Sequence, residues 1–280
     1  MPQLEPDKMS LHSRSNQQLA RRVEEASLNA WPALQQLFYD GWVLRFAKGF
    51  TKRANSIVPL YPPIDRNADN IEQRVRYCEN LYAREGLQSI FRLTSINPYP
   101  DLDSFLARRG YQLLDPTVVQ ILHLGAAHPP IPTSSAGRPQ DQAPTRFAVL
   151  GLEPWLDTYA LLADVPDPAR RLHGAILGGI QGYCGYGVLY AMEDGGEVPV
   201  ACGLAVSESK YVGLFDIITR EDKRNLGYGR KLVSHLLDWS QTTAGAEMAY
   251  LQMIRSNVPA AALYRSLGFV PLYDYWYRAG

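Results

Sequence analysis

The stretch that decides the fold is residues 214–241, LFDIITREDKRNLGYGRKLVSHLLDWSQ. It opens on an apolar run, crosses a polar turn holding Gly227 and Gly229, and enters a segment where Leu232, Val233, Leu236, Leu237 and Ser240 recur at helical spacing. The pattern predicts a strand, a turn and a helix, with the helix N-terminus directly after the glycines. Backbone N–H groups at such a terminus, with the positive end of the helix dipole behind them, suit a phosphate. The glycines remove Cβ atoms that would hold a pyrophosphate off the backbone, and Arg224 and Arg230 can add charge-assisted contacts. A Walker A loop is excluded, because Gly229 is followed by Arg230, Lys231 and Leu232 rather than Lys and Ser or Thr. A dinucleotide fingerprint fits poorly, with Leu232 at its third glycine.

Outward from this turn, the chain reads as two α/β halves. The segment GAAHPPIPTSSAGRPQDQAPT loses all apolar period, and it predicts a linker at 125–144 between domains at 1–124 and 145–280. In the first half GWVLRFA, RANSIVPL, QSIFRLT and PTVVQILHL read as strands, and NIEQRVRYCENLYAREG and DLDSFLARRG as helices. In the second, EPWLDTYALLAD, residues 228–243 and VPAAALYRSLG read as helices. CGYGVLYAM and VPVACGLAVSE form a hairpin through EDGGE, and YVGLFDII, MAYLQMI and YDYWYR are further strands. Both halves pass through strand, helix, strand and a short helix closed by Gly and an aromatic residue, as FLARRGYQLL and LYRSLGFVPL show. This order raises the duplication of one fold, although short helices often end in Gly.

Totals narrow the function. The 28 basic and 28 acidic side chains cancel, so no global field favours nucleic acid or an anionic membrane. Cys78, Cys184 and Cys202 form no CxxC pair, which points to reduced thiols in a cytoplasmic protein without a cysteine-rich metal site. No apolar run approaches the roughly 20 residues of a membrane span.

At the turn the sequence resembles a known family. RNLGYG, Arg224 to Gly229, is similar to the R/Q-x-x-G-x-G/A signature of the GNAT superfamily, the acyl-CoA-dependent N-acetyltransferases. NVPAAALYRSLGF resembles the family's second signature, with Asn257, Ala260, Tyr264, Gly268 and Phe269 in its places. The resemblance covers about residues 145–280 and implies two GNAT-like α/β domains, each a mixed, mostly antiparallel twisted sheet flanked by helices. It implies acetyl-CoA as cosubstrate, no metal, and a small-molecule or peptide amine as acceptor, attacked directly in a ternary complex. Arg224, Asn225, Leu226, Gly227, Tyr228, Gly229 and Arg230 would then cradle the pyrophosphate. Ile217, Ile218 and Thr219 would offer main chain to the pantetheine arm, and Asn257 would also touch it. Tyr264 would be the acid that meets the departing thiolate.

Each residue has a plainer reading. Gly227 and Gly229 suit any turn needing positive φ, Arg224 any solvated turn, Asn257 an N-cap ahead of Pro259, and Tyr264 the inner face of a helix. Asp216, and behind it Glu208, are candidates for the base, while His173 and His235 stand alone in sequence. The first half lacks the signature in YPPIDRNAD and has Leu106 where the second has Tyr264. It is therefore expected to bind no CoA and to act as a pseudo-subunit of a monomer. Trp42, Arg45, Lys52, Arg53 and Asn55 would help line an acceptor cleft or form a solvated hairpin face, and Tyr273, Tyr275 and Tyr277 would line the pocket or pack internally. A catalytically silent acyl-CoA sensor or scaffold is the alternative function.

Overall fold

The computed structural model describes residues 8–63, 71–125 and 144–280. Residues 126–143 of the expected linker and most of YPPIDRNAD lie outside them. In chain order the elements are α1 (Lys8–Asn29), β1 (Gln35–Tyr39), β2 (Trp42–Phe46), β3 (Ile57–Pro59), α2 (Ile71–Arg84), β4 (Ile90–Thr94), α3 (Leu102–Arg108) and β5 (Gln112–His123). They continue with β6 (Thr145–Leu150), α4 (Leu152–Ala163), α5 (Asp167–Leu177), β7 (Tyr183–Glu193), β8 (Gly196–Glu208) and β9 (Tyr211–Thr219). The last are α6 (Tyr228–Thr242), β10 (Met248–Ile254), α7 (Val258–Ser266) and β11 (Val270–Ala279). Among them α1, β1, α5 and β6 were not anticipated from the sequence.

Two compact units emerge. The first comprises residues through Gln120 together with Met253–Val258 and Pro271–Gly280. Its strands lie in the order β1-β2-β3-β4-β11-β5. β1, β2 and β3 form an antiparallel meander, α2 crosses over to β4, which runs parallel to β3, and β11 returns antiparallel to β4. Alternation sorts the side chains, so that Trp42, Leu44, Phe91 and Leu93 join Val75, Cys78 and Leu106 of α2 and α3 in one core. Leu28 of α1 packs with Val43 and Val58 in a second cluster.

Much of the run from Trp42 to Asn55 is buried structure rather than a solvated hairpin face. Trp42 and Arg45 are fully buried, and the Arg45 guanidinium donates to the carbonyls of Leu28 at 3.0 Å, Arg53 at 2.8 Å and Trp31. Asn55 makes four backbone bonds, accepting from Ala47 and Gly49 and donating to Phe50 and Thr51. Lys52 pairs with Asp115 at 2.8 Å, and the Arg53 guanidinium lies 5.0 Å over the Trp31 ring. Tyr273, Tyr275 and Tyr277 are also buried in this unit, where Tyr273 donates to Glu24 and the Arg92 guanidinium stacks 4.1 Å over Tyr275.

The second unit, Ile121–Gln252 with Pro259–Val270, repeats the plan. Here the order is β10-β9-β8-β7-β6, with β6 to β9 antiparallel and β10 parallel to β9 after the α6 crossover. The repetition reaches single hydrogen bonds. Gly110 and Gly268 end α3 and α7 at φ 88° and 90°, in the left-handed region that admits Gly cheaply. Behind each, the following aromatic N–H bonds back to the carbonyl of the matched residue, Tyr111 to Leu106 at 3.1 Å and Phe269 to Tyr264 at 3.0 Å. Leu106 is fully buried in the first unit's core.

Candidate active site

Three glycines set one wall of the site. Cβ atoms at Gly185, Gly187 and Gly203 would stand 2.6 Å from Trp239, 2.7 Å from Leu236 and 2.5 Å from Ile217 respectively, so their absence lets α6 close onto β7 and β8. α4 covers the opposite face, where the Trp155 indole donates to the Gly187 carbonyl at 3.3 Å.

At β9 the ladder changes. Its parallel register with β10 runs from Tyr211 opposite Met248 to Leu214 opposite Leu251. Its pairing with β8 shifts between Cys202 and Leu204, so that Cys202 faces Ile218 while Leu204 faces Phe215. The extra residue is a β-bulge at Asp216, whose φ of 51° is uncommon for a side chain with a Cβ. Beyond the bulge, Ile217, Ile218 and Thr219 continue the strand past the Leu214–Leu251 end of its register with β10. That end of β9 has the form a linear ligand requires when it pairs with main chain.

A turn of 3-10 helix, Glu221–Lys223, leads into the glycine turn. Asn225 and Gly227 both have positive φ, at 62° and 88°, and α6 starts with Gly227 as its N-cap and no side-chain capping bond. The first intrahelical bond is Lys231 N–H to the Gly227 carbonyl at 3.1 Å, which leaves the amides of Tyr228, Gly229 and Arg230 ahead of the ladder. A Cβ on Gly229 would lie 3.1 Å from the Thr219 hydroxyl and 3.8 Å from Leu263, so the strand end, the helix start and α7 converge there. Tyr228 is buried and Leu226 is exposed.

The cations around the turn divide. Arg220 pairs with Glu193 and Asp222, and Lys223 pairs with Glu193 at 2.7 Å, around an open depression of about 520 Å³. Arg230 is committed to α7 through the Ser266 hydroxyl at 2.5 Å and its carbonyl at 3.2 Å. Arg224 is exposed, 4.0 Å from Glu221, a separation at which a surface pair holds it weakly. Asn257 is exposed directly before α7, with its N–H bonded to the Ile254 carbonyl at 2.9 Å.

Tyr264 lies on the inner side of α7, edge-on to Phe269 at 5.8 Å, and burial pushes its phenol up to about 12. Glu208 is exposed at the far end of β8, opposite Tyr211. That is five residues along β9 from Asp216, about 16 Å away at a strand's rise. His173 does not stand alone: on α5, which the sequence did not announce, its Nε2 lies 2.9 Å from Asp216 Oδ2. Nothing local signals this pair, because 43 residues separate its members. His235 is exposed on α6, its ring stacked on Phe147 at 4.9 Å. The Cys184 and Cys202 thiols are both pushed up by burial, so neither is a ready thiolate nucleophile. Among the described residues no group of three or more His, Cys, Asp or Glu could hold a metal, and no helix is long and apolar enough to cross a membrane.

The chain is similar to several known proteins. A family model for the GNAT acetyltransferases matches residues 153–269. A second, described as "Probable histone acetyltransferase Rv0428c C-terminal", matches residues 19–96 and fits a divergent second copy. An uncharacterized N-acetyltransferase of Bacillus subtilis, YobR, is 26% identical over 262 residues, 92% of this chain and 97% of that protein. Among solved structures, a GCN5-related N-acetyltransferase from Kribbella flavida superposes with a TM-score of 0.67 at 17% identity, over 93% of this chain and 95% of that one. A tandem GNAT protein from the clavulanic acid biosynthesis pathway gives 0.58 at 14% identity, over 76% and 70%. At these identities the two structures speak for the fold.

Proposed function

From the premise that residues 153–269 form a GNAT-family acetyltransferase domain, we propose that this chain moves an acetyl group from acetyl-CoA to the amine of a small molecule or peptide, by direct attack in a ternary complex. The observation that carries the reading is the juxtaposition of an α6 start without a side-chain cap and a β9 end that outruns its parallel ladder, joined where Gly229 meets Thr219. An anion at the helix start and an extended arm along the strand are what that geometry accepts. The amides of Leu226 to Arg230 would hold the pyrophosphate, with Arg224 as the adjustable cation. Main chain of Ile217, Ile218 and Thr219 would take the arm, and Asn257 would contact it from the start of α7. Bound there, acetyl-CoA supplies a thioester carbonyl open to attack by nitrogen.

Two side chains then handle protons. Asp216 is the base, held at the bulge where the strand opens. Tyr264 keeps its proton to about 12, well above an alkyl thiol near ~8.5, so full transfer to a thiolate would be uphill. It serves by donating its O–H to the sulfur as negative charge develops there. The raised thiols of Cys184 and Cys202 favour direct attack over a cysteine intermediate.

Calorimetric titration of acetyl-CoA into the parent and a Gly227→Trp variant tests the reading. One site in the parent and none in a folded variant is the expected result, followed by an amine screen read by thiol release. A parent that binds nothing would refute it, and binding without turnover of any amine would favour the sensor.

A further inference from the structure

The first unit ends on a strand edge that nothing guards, and we infer that β1 pairs antiparallel with β1 of a second copy of this chain, about a two-fold axis through Leu37. β1 is the outermost strand of its sheet and reads Gln35-Gln36-Leu37-Phe38-Tyr39. Which of its backbone groups face outward follows from its turn. Tyr39 and Trp42 stand opposite each other across Asp40 and Gly41, both of positive φ, a two-residue turn whose flanking residues exchange hydrogen bonds. Bonded and unbonded pairs then alternate along the ladder, so Leu37 and Leu44 exchange bonds, while Gln36 opposite Arg45 and Phe38 opposite Val43 do not. The next strand agrees, since the Arg45 N–H points the other way and donates to the Ser56 carbonyl beside β3 at 3.2 Å. The N–H and C=O groups of Gln36 and Phe38 therefore face away from the sheet, and among the described residues none bonds them.

Exposed edges are ordinarily blunted by a charge, a proline, a bulge or a covering segment. β6, at the other end of the strand order, carries Arg146, paired with Glu197 at 2.7 Å. β1 has no charge, no proline and an unbroken register with β2. Its side chains are apolar where they meet solvent. Phe38 is 71% exposed and Leu37 40%, and Tyr77 of α2, stacked on Tyr39 at 4.3 Å, is exposed beside them.

Register and charge both select a second copy as the occupant. An axis at Leu37 brings the whole strand into register, with Leu37 facing its own counterpart, Gln36 facing Phe38 of the other copy, and Gln35 facing Tyr39. Outward residues then meet outward residues, so Gln36 and Phe38 of the two chains exchange four N–H to carbonyl bonds. In an isologous contact each surface meets itself. A charged strand would set like charges side by side across the axis, and β1 has none to set. One short strand and its apolar rim make an interface of the small, transient class, so the dimer is reversible, with a Kd on the order of 10 μM. The monomer suggested by the sequence then becomes half of that dimer.

Sedimentation velocity of the full chain, from about 1 to about 200 μM so as to span that Kd, is the test, and it holds whether or not acetyl-CoA binds. The parent should pass from monomer to dimer as concentration rises. Gln36→Pro removes one outward N–H per chain, two of the four bonds, at a place where an edge strand tolerates proline, and should raise the Kd at least about tenfold. Leu37→Lys sets two ammonium groups at the axis and should leave a monomer throughout. Leu37→Cys reads the register, because Cα atoms of a non-hydrogen-bonded pair stand about 4.5 Å apart, within disulfide reach. Mild oxidation should cross-link L37C into a dimer and leave Gln35→Cys at the background of the parent, whose Cys78 and Cys202 are buried. Thermal melts of each variant exclude unfolding as the cause. A parent that stays monomeric at every concentration would leave the edge to a foreign strand or to none, and would overturn the inference. So would a dimer untouched by Q36P and L37K, or one cross-linked through Q35C and not through L37C.

Discussion

Gly203 illustrates how much one absent methyl group decides. A Cβ there would lie 2.5 Å from the Ile217 side-chain end and 3.1 Å from that of Leu236, so Gly203→Ala must displace the packed ends of these side chains. We expect it to cost about 1–3 kcal/mol of stability and to weaken acetyl-CoA binding, measured by denaturant melts and calorimetry. Equal stability and affinity in the variant would mean the sheet absorbs the methyl elsewhere. Tyr264 gives a pH test at the same scale. Its proton is held more tightly folded than unfolded, so its contribution is whole below about pH 10 and is lost as pH rises toward about 12. Tyr264→Phe should therefore lose less stability than the parent between those values, by about 2–3 kcal/mol, in melts compared across alkaline pH. The same variant should lower turnover with acetyl-CoA affinity nearly intact. At this scale the sequence was legible where backbone conformation demands a residue type. Gly227 and Gly268 do need positive φ. It was silent where two side chains meet across distant segments, as His173 and Asp216 do.

Among the elements, β9 and α6 declared themselves by strong periodicity, and the bulge that separates their roles did not. A bulge adds one residue without changing composition, so only pairing with β8 reveals it. α5 was missed for a related reason: Gly174 reads as punctuation in DPARRLHGAIL, yet it serves a close approach of two helices. α1 escaped because the face it buries holds Ala20, Glu24 and Ser27 beside Val23, a weak apolar stripe. The bulge also predicts a pattern of hydrogen exchange. Amides of residues 217–219 and of the first turn of α6 should gain protection when acetyl-CoA is added. Those of Tyr211–Leu214, already laddered to β8 and β10, should change little. Uniform protection along β9 would argue against binding at the open end.

For the molecule as a whole, the two halves were legible as similar α/β folds, and the course of the chain between them was not. The aromatic strand YDYWYR carries no mark of where it pairs, and residues 271–280 complete the first unit. There β11 buries Tyr273, Tyr275 and Tyr277, while Trp276 and Arg278 bond Asp103 at 2.7 and 2.8 Å. Those two bonds hold the Asp103 carboxyl below the usual range, with Arg278 the larger cause. At roughly 2 kcal/mol for each buried tyrosine, deleting 271–280 removes an amount comparable to a domain's whole stability. The truncated chain should show no cooperative unfolding of its first unit by circular dichroism and calorimetry, and a native-like melt would overturn that expectation.

The place of β11 also sets a clock on biosynthesis. The slot between β4 and β5 is translated early, but the strand that fills it leaves the ribosome only after residues 121–270 have been made. At 5–20 residues per second that delay is on the order of 10 s. Throughout it the nascent first unit carries two unpaired strand edges in the crowded interior of a cell, the kind of surface that recruits chaperones or foreign strands. The protein's birth is therefore its most hazardous interval, and its yield should respond more to the speed of translation than that of a protein of two consecutive domains would.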